Sequence, residues 1–413
     1  MAKHSLLGQY VVLDLTDEKG FLCGKLMGDL GADVIKIEPP GGDPARQIGP
    51  FYKDIPHPEK SLHWLAYNTN KRSITLDIER KQGQEIFKRL VQDADFVIES
   101  FAPGYMDSLQ LGYSALSDIN KRIVVVSITP FGQTGPYKDF KASDIGCTAA
   151  SGFMYLTGDN DRAPVRISFP QSYQHASLHA LVGALIAHYH RLNTGEGQHV
   201  DVSIQESIST AVYDAPAYWF LNHKMMKREG SRRSRASGVL RRNIWRCKDG
   251  HVSLLILGGT QGAKFNKALA EWVESEGLAT PSLSEMDWTR FDWAKVTQEE
   301  VDQLEEPIGR LLLKYSEAEL YEEALNRDLL LYPVRTIESV IEDPQLGARS
   351  YWTEVEHPEL GDRLIHPGSF AQISGVQYQL RPTPSIGQHN VEIYTKLGFS
   401  RDEIVYLIES GVM

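Results

Sequence analysis

Cysteine is scarce: Cys23, Cys147 and Cys247 are the only three in 413 residues. They stand too far apart for the close pairing that metal sites and redox motifs use, so they read as reduced, buried small residues. Long apolar runs are missing as well. No stretch approaches the roughly 20 residues of a membrane span, and Met1-Ala2-Lys3-His4-Ser5 lacks the apolar segment of a secretion signal. These absences imply a cytoplasmic protein without a membrane partner. Basic charge is in deficit, with 43 Lys and Arg against 54 Asp and Glu and a net charge of −11. That balance argues against non-specific nucleic-acid binding, which needs a basic face for the phosphate backbone.

What is present is an ordinary globular composition, 42% hydrophobic, in a chain long enough for two domains or for one with a large insertion. Tyr10-Val-Val-Leu-Asp-Leu15 reads as a strand, a helix follows, and Val34-Ile-Lys-Ile-Glu38 is a second strand that closes a βαβ unit. Gly20, Gly24 and Gly28 in that helix do not follow the G-x-G-x-x-G spacing of a dinucleotide fingerprint. Close packing of helix on sheet is their expected use. Asn70 to Asp77 enters another strand, Lys81 to Gln92 reads as a helix, and Asp95 to Glu99 and Ile123 to Ser127 as further strands. Strands alternating with helices point to the α/β class with an open parallel sheet.

The stretch from Asp161 to Val202 organises the rest. Its helix carries Leu178, Leu181, Val182, Leu185, Ile186 and Tyr189 at three- and four-residue spacings, and is expected to be largely buried. Thr194-Gly195-Glu196-Gly197 then turns the chain into a strand in which Val200 and Val202 alternate. Gly31-Ala-Asp-Val-Ile-Lys-Ile-Glu38, Asn70-Lys-Arg-Ser73 and Gly132-Gln-Thr-Gly-Pro136 precede it. Tyr332-Pro-Val-Arg335, Asp343-Pro344, His357-Pro-Glu-Leu-Gly361 and Gly387-Gln-His389 follow.

Taken in this order, the segments resemble the class III CoA-transferases, the family of the formyl-CoA and carnitine-CoA transferases. The resemblance covers nearly the whole chain. It implies a large α/β domain with an open Rossmann-like parallel sheet, built from residues 1–224 and a return segment 331–413. Between them it implies a basic linker, 225–246, and a smaller inserted α/β domain, 247–330. Two such chains are expected to interlock as a dimer.

The same resemblance exposes a missing group. Family members exchange CoA when a carboxylate attacks the thioester; the mixed anhydride that forms is reopened by the CoA thiolate, which leaves an aspartyl thioester on the enzyme. The family places this Asp just before the long helix, ten residues ahead of the glycine that is Gly183 here. Tyr173 occupies that position. A phenol, with an ordinary pKa of about 10 and no evident base beside it, is a poor substitute. Neither Asp nor Glu occurs between Arg162 and Gly195. Asp159 and Asp161 read as turn residues and Asp144 as a helix-capping or first-turn residue. No catalytic residue is therefore expected in this chain, and the family's racemase branch, which uses the same Asp with a His, fares no better.

Three cations are the candidates for contact with CoA: Lys141, which matches a family lysine that approaches CoA, and Lys71 and Arg72. Ser108 stands where the family often has an arginine. The segment Lys224 to Arg246 is rich in Lys and Arg, Arg235 among them, against Glu229 alone. It reads either as a receiver for CoA phosphates or an acidic partner surface, or as a solvated linker with paired arginines. His175 and His179 share a helical face but lack further ligands, and His188 and His190 share none, so no metal is expected.

The implied function is a subunit of a heteromeric CoA-transferase that moves CoA between carboxylic acids, for instance from succinyl-CoA to an aromatic succinate such as benzylsuccinate. Coenzyme A or acyl-CoA is the substrate, with no tightly bound cofactor. A paralogous catalytic subunit would complete a heterodimer or heterotetramer. The rival readings are a stand-alone acyl-CoA enzyme with non-covalent chemistry and a non-enzymatic CoA-binding homodimer.

Overall fold

The structure, a computed structural model, describes residues 5–234 and 238–413; Arg235 and the start Met1 to His4 lie outside them. Short runs rich in Val and Ile form six strands: β1 (Val11–Leu15), β2 (Asp33–Glu38), β3 (Lys71–Thr75), β4 (Phe96–Glu99), β5 (Val124–Thr129) and β6 (His199–Ser203). Their order is β3-β2-β1-β4-β5-β6, and every neighbouring pair is parallel. The chain steps outward from β1 to β3, then returns to the other side of β1 as β4. This reversal opens a crevice beyond the carboxyl ends of β1 and β4, the place where open α/β sheets bind ligands.

Alternation along the strands sends side chains to two faces. Leu13, Ile35, Val97 and Val125 pack against the Lys81–Gln92 helix and the C-terminal residues Ile393, Tyr394 and Leu407. Val12, Val34, Ile98 and Val126 pack against the Phe21–Asp29 and Ser172–Thr194 helices. Each such side chain taken fully out of water contributes roughly 1.5–3 kcal/mol. The glycine spacing of the first helix has its packing reason at Gly24, where a Cβ would lie 2.3 Å from a carboxylate oxygen of Asp14.

The Ser172–Thr194 helix departs from expectation. Leu181 is buried, but Leu178, Val182, Ile186 and Tyr189 are 46%, 54%, 63% and 70% exposed. The sheet-facing stripe is instead Ala176, Ala180, Ala184 and Ala187. Small side chains bring the helix axis close to the strands, which turns the larger apolar stripe outward. At its end Gly195 takes φ +81, a left-handed cap that suits glycine. Arg191, buried, ties that end down by donating to the carbonyls of Asp95 (2.9 Å) and Arg122 (3.1 Å) and to His188 Nδ1 (2.6 Å). His188 is thus a core partner of Arg191.

The chain divides into two compact units. The first comprises the residues through Met154, Arg166–Asn222 and Pro344–Met413; the second comprises Tyr155–Val165 and His223–Asp343. Within the second, β7 (Arg232–Ser234) pairs with β8 (Leu240–Arg242), and β9 (Ile244–Arg246), β10 (His251–Leu254) and β11 (Leu331–Pro333) form an antiparallel sheet. Trp245, Trp272, Leu304 and Ile308 make its core. Arginines of the basic segment serve this unit. Arg228 donates to the carbonyls of Asp159 and Arg162, and Arg241 lies 4.9 Å from the centre of the Trp293 ring.

Candidate functional site

Tyr173 sits in the first turn of the Ser172–Thr194 helix and is 6% exposed, in the same core cluster as Cys147 and Ala176. Burial, with the charge of Glu18 nearby, pushes its phenol above the ordinary range, against the opposing effect of the Asp144 backbone N–H bonded to it. It is a neutral core side chain at physiological pH. Asp144 does not substitute as a nucleophile either. Its Oδ1 accepts from the Ser172 backbone N–H at 2.9 Å and from the Ser172 hydroxyl at 2.7 Å. A carboxylate that satisfies the first amide of a helix is a cap, the role expected for it, although the helix it caps is the long one rather than its own.

The structure does not bring the three expected CoA-binding cations together. Lys71 and Arg72 are adjacent in β3, so their side chains point to opposite faces of the sheet. The Lys71 ammonium is fully buried and donates to Asp14 Oδ2 (2.8 Å), the Phe21 carbonyl (3.0 Å) and Asn68 Oδ1 (2.9 Å). All three of its donors are occupied, so it has none left for a phosphate. Arg72 pairs with Asp33 and, at 3.0 Å, with Glu392. Both are thus engaged by carboxylates of the first unit. Lys141 is exposed.

Lys71 belongs to a buried ionic network under the crevice. Burial alone would raise the Asp14 carboxyl, but Lys71 and Lys36 hold it below its ordinary value. Lys36 donates to the Thr16 carbonyl and lies 3.4 Å from Asp43. Arg46 forks onto Glu38 at 2.7 and 2.8 Å and lies 4.2 Å from the centre of the Trp64 ring. Glu38 also accepts from Ser73 at 2.6 Å. Charged pairs of this kind fix geometry more than they add stability. Here they hold the loops that follow β1 and β2.

Those loops border a cavity of about 860 Å³ at the carboxyl ends of the strands. Its walls include Ile37, Ile48, Leu76, Ile78, Phe101 and Tyr105; its charged lining residues are Asp17, Glu18, Glu38, Asp43, Asp77 and Glu79. None of the described lining residues is cationic. Across the switch point the Ser100 hydroxyl accepts from the Asp17 backbone N–H and donates to its carboxylate, both at 2.8 Å. Beside it Glu99 is 4% exposed, and burial pushes its carboxyl up to about 7 despite hydrogen bonds from Ser127 and the Phe101 N–H.

The overall fold is shared with a solved structure. A CAIB/BAIF family protein from Brucella suis superposes with a TM-score of 0.81 at 26% identity, over 96% of this chain and 100% of that one. By sequence, residues 7–390 match CoA-transferase family III. The chain belongs to that family. It is 36% identical to the succinyl-CoA:(R)-benzylsuccinate CoA-transferase subunit BbsE of Thauera aromatica, over 98% of this chain and 97% of that protein. It is 32% identical to a succinyl-CoA:D-citramalate CoA-transferase of Chloroflexus aurantiacus, over 94% and 93%. Coenzyme A thioesters are the substrates of family III enzymes, and the chain is a CoA-transferase by family.

The segments Asn70 to Ser73 and Gly387 to His389, far apart in sequence, meet in space: the Gly387 N–H donates to the Ser73 hydroxyl at 3.0 Å and the His389 N–H to the Ser73 carbonyl at 2.9 Å. Ser108 is exposed and turns its hydroxyl to the Tyr105 carbonyl at 2.7 Å. The residue that sequence reasoning missed is Glu18. It lines the crevice, its charge acts on Tyr173, and burial together with Asp17 raises its carboxyl above the usual range. Its one signal in sequence was its place in the loop after the first strand.

Proposed function

We propose that this chain is the non-catalytic subunit of a heteromeric family III CoA-transferase that moves CoA from succinyl-CoA to a dicarboxylic acid, with an aromatic succinate such as benzylsuccinate as the acceptor. The observation that carries this reading is Tyr173, a buried neutral phenol where the family nucleophile is expected, with no carboxylate on the segment around it. A carboxylate is required because the reactive intermediate is an anhydride. The 36% identical relative is itself named as a subunit, and the benzylsuccinate in its name supports the acceptor assignment.

A paralogous partner supplies the Asp, and the two chains interlock. Support comes from the outward apolar stripe Leu178, Val182, Ile186 and Tyr189, with Phe220 and Leu221 exposed at 76% and 81% on the Asp214–Asn222 helix. Exposed apolar side chains grouped on helices mark protein contacts. Lys141 serves a CoA phosphate in the assembled enzyme, while Lys71 and Arg72 support the fold. We place the enzyme in the cytoplasm, where free thiols such as those of Cys23, Cys147 and Cys247 stay reduced. The test is co-expression with a paralogue that carries Asp at the Tyr173 position, followed by size-exclusion chromatography and a transferase assay. A stable mixed complex that is active only with both chains is expected; a homodimer active by itself overturns the reading.

A further inference from the structure

The crevice at the β1/β4 switch point has apolar walls that include the rings of Phe101 and Tyr105, and a lining whose charged residues are all acids. Five of the six acids are answered. Glu38 and Asp43 face Arg46 and Lys36, Asp17 pairs with Lys19, Asp77 lies 3.0 Å from Arg80, and Glu79 accepts from the Tyr105 hydroxyl at 2.8 Å. Glu18 makes no hydrogen bond or ion pair with any described residue. It is partly buried among the charges of Asp17, Asp43 and Asp144, and the one cation that acts on it, Lys19, is paired with Asp17; apolar walls of low dielectric focus the resulting negative field into the opening.

Resting on the reading of a non-catalytic subunit, we propose that Glu18 is a specificity-determining residue that closes this chain's own crevice to coenzyme A, so that the assembly carries its CoA on the partner. The ligand excluded is defined by chemistry: a nucleotide with a diphosphate and a further 3′-phosphate, which needs cations at its phosphates and meets a carboxylate. Like charges brought together in an interface act against binding rather than for it. Apolar walls without a cation leave the uncharged part of the ligand, pantetheine, indifferent to residue 18.

The test uses the full chain, purified alone, and isothermal titration with CoA and with pantetheine at low and high salt. The parent is expected to bind CoA weakly. Glu18→Lys should tighten CoA binding by about tenfold or more, Glu18→Gln by less, and both gains should shrink in salt while pantetheine binding does not change. Because Glu18 has no bonded partner, Glu18→Gln keeps the test valid if the lysine variant fails to fold. CoA affinity that is the same for parent, Glu18→Gln and Glu18→Lys overturns the proposal, as does an acyl adduct mapped to Glu18 after hydroxylamine treatment with acyl-CoA. A parallel transferase assay of the chain alone separates the two ideas: turnover there rejects the non-catalytic reading, whereas inactivity with residue-18-independent CoA binding rejects only the role of Glu18.

Discussion

Tyr173→Asp returns a carboxylate to the head of the Ser172–Thr194 helix, and its consequences can be worked from the packing. The side chain removed is 6% exposed, within the cluster that holds Cys147 and Ala176. Truncation of a buried aromatic ring costs about 3–5 kcal/mol. The new carboxylate would stand where the charges of Glu18 and Asp17 act, so its own pKa rises, and each unit of rise costs about 1.4 kcal/mol at neutral pH. The Asp144 N–H that meets the phenol offsets part of this. A net loss of about 3–5 kcal/mol is a large share of a stability of roughly 5–15 kcal/mol, but leaves a folded protein. Thermal melting should show the loss, with Tyr173→Phe, which removes only a hydroxyl, losing about 1.5 kcal/mol or less. Hydroxylamine trapping followed by mass spectrometry should find at most a slowly formed adduct at position 173, since small misplacements of a reacting group are costly. A Tyr173→Asp variant as stable as the parent, and active at the rate of a catalytic family member, would refute the reasoning from burial and charge.

Lys71→Met should destabilise the fold by about 3 kcal/mol or more, because it strips Asp14 of its 2.8 Å partner, whereas Arg72→Met should change stability by less than about 1 kcal/mol. Denaturant titration checks both; unchanged stability in Lys71→Met would contradict the scaffold role. The Glu99 carboxyl is raised from 4.5 to about 7 in the folded protein, so its contribution to stability is complete below pH 4.5 and is lost as pH rises through about 7. Glu99→Gln should therefore lack a pH-dependent loss of roughly 3 kcal/mol, seen as a smaller stability difference between pH 5 and pH 8 than in the parent. Val182→Glu with Ile186→Glu should shift the stability of the isolated chain within about 0.5 kcal/mol per site, yet abolish co-purification with the paralogue.

Strands, their alternation with helices and the first-turn place of Asp144 were legible in the sequence, because hydrophobic runs of strand length and turn residues report local geometry directly; the bond from Asp144 to the head of the long helix, 28 residues away, was not. The face of the Ser172–Thr194 helix was not. Its large residues and its alanines repeat with the same helical spacing, and periodicity shows that two faces exist without saying which one meets the sheet. Ala176, Ala180, Ala184 and Ala187 took the sheet because the close approach favours small side chains. Lys71 and Arg72 were legible as candidate cations, and their opposite facing was legible too, since neighbours in a strand point apart; their carboxylate partners Asp14, Asp33 and Glu392 come from distant segments that spacing does not reveal. Glu18 illustrates a harder limit. The segment around Tyr173 contains no carboxylate, yet the crossover from β1 to the far helix sets Glu18 close enough for its charge to act on the phenol. Only the strand order, with its reversal between β1 and β4, brings the two segments together.

The central claim, that this chain completes a CoA-transferase without supplying its nucleophile, is tested most directly by single-turnover acylation of the mixed complex. Succinyl-CoA is added to the co-purified pair, the covalent intermediate is trapped with hydroxylamine, and the modified chain is identified by mass spectrometry. The predicted result is modification of the partner's Asp at the head of its long helix and none on this chain, with the chain alone unmodified and inactive. Modification of this chain, at Tyr173, Glu18 or any other residue, together with turnover in the absence of a partner, would contradict the account.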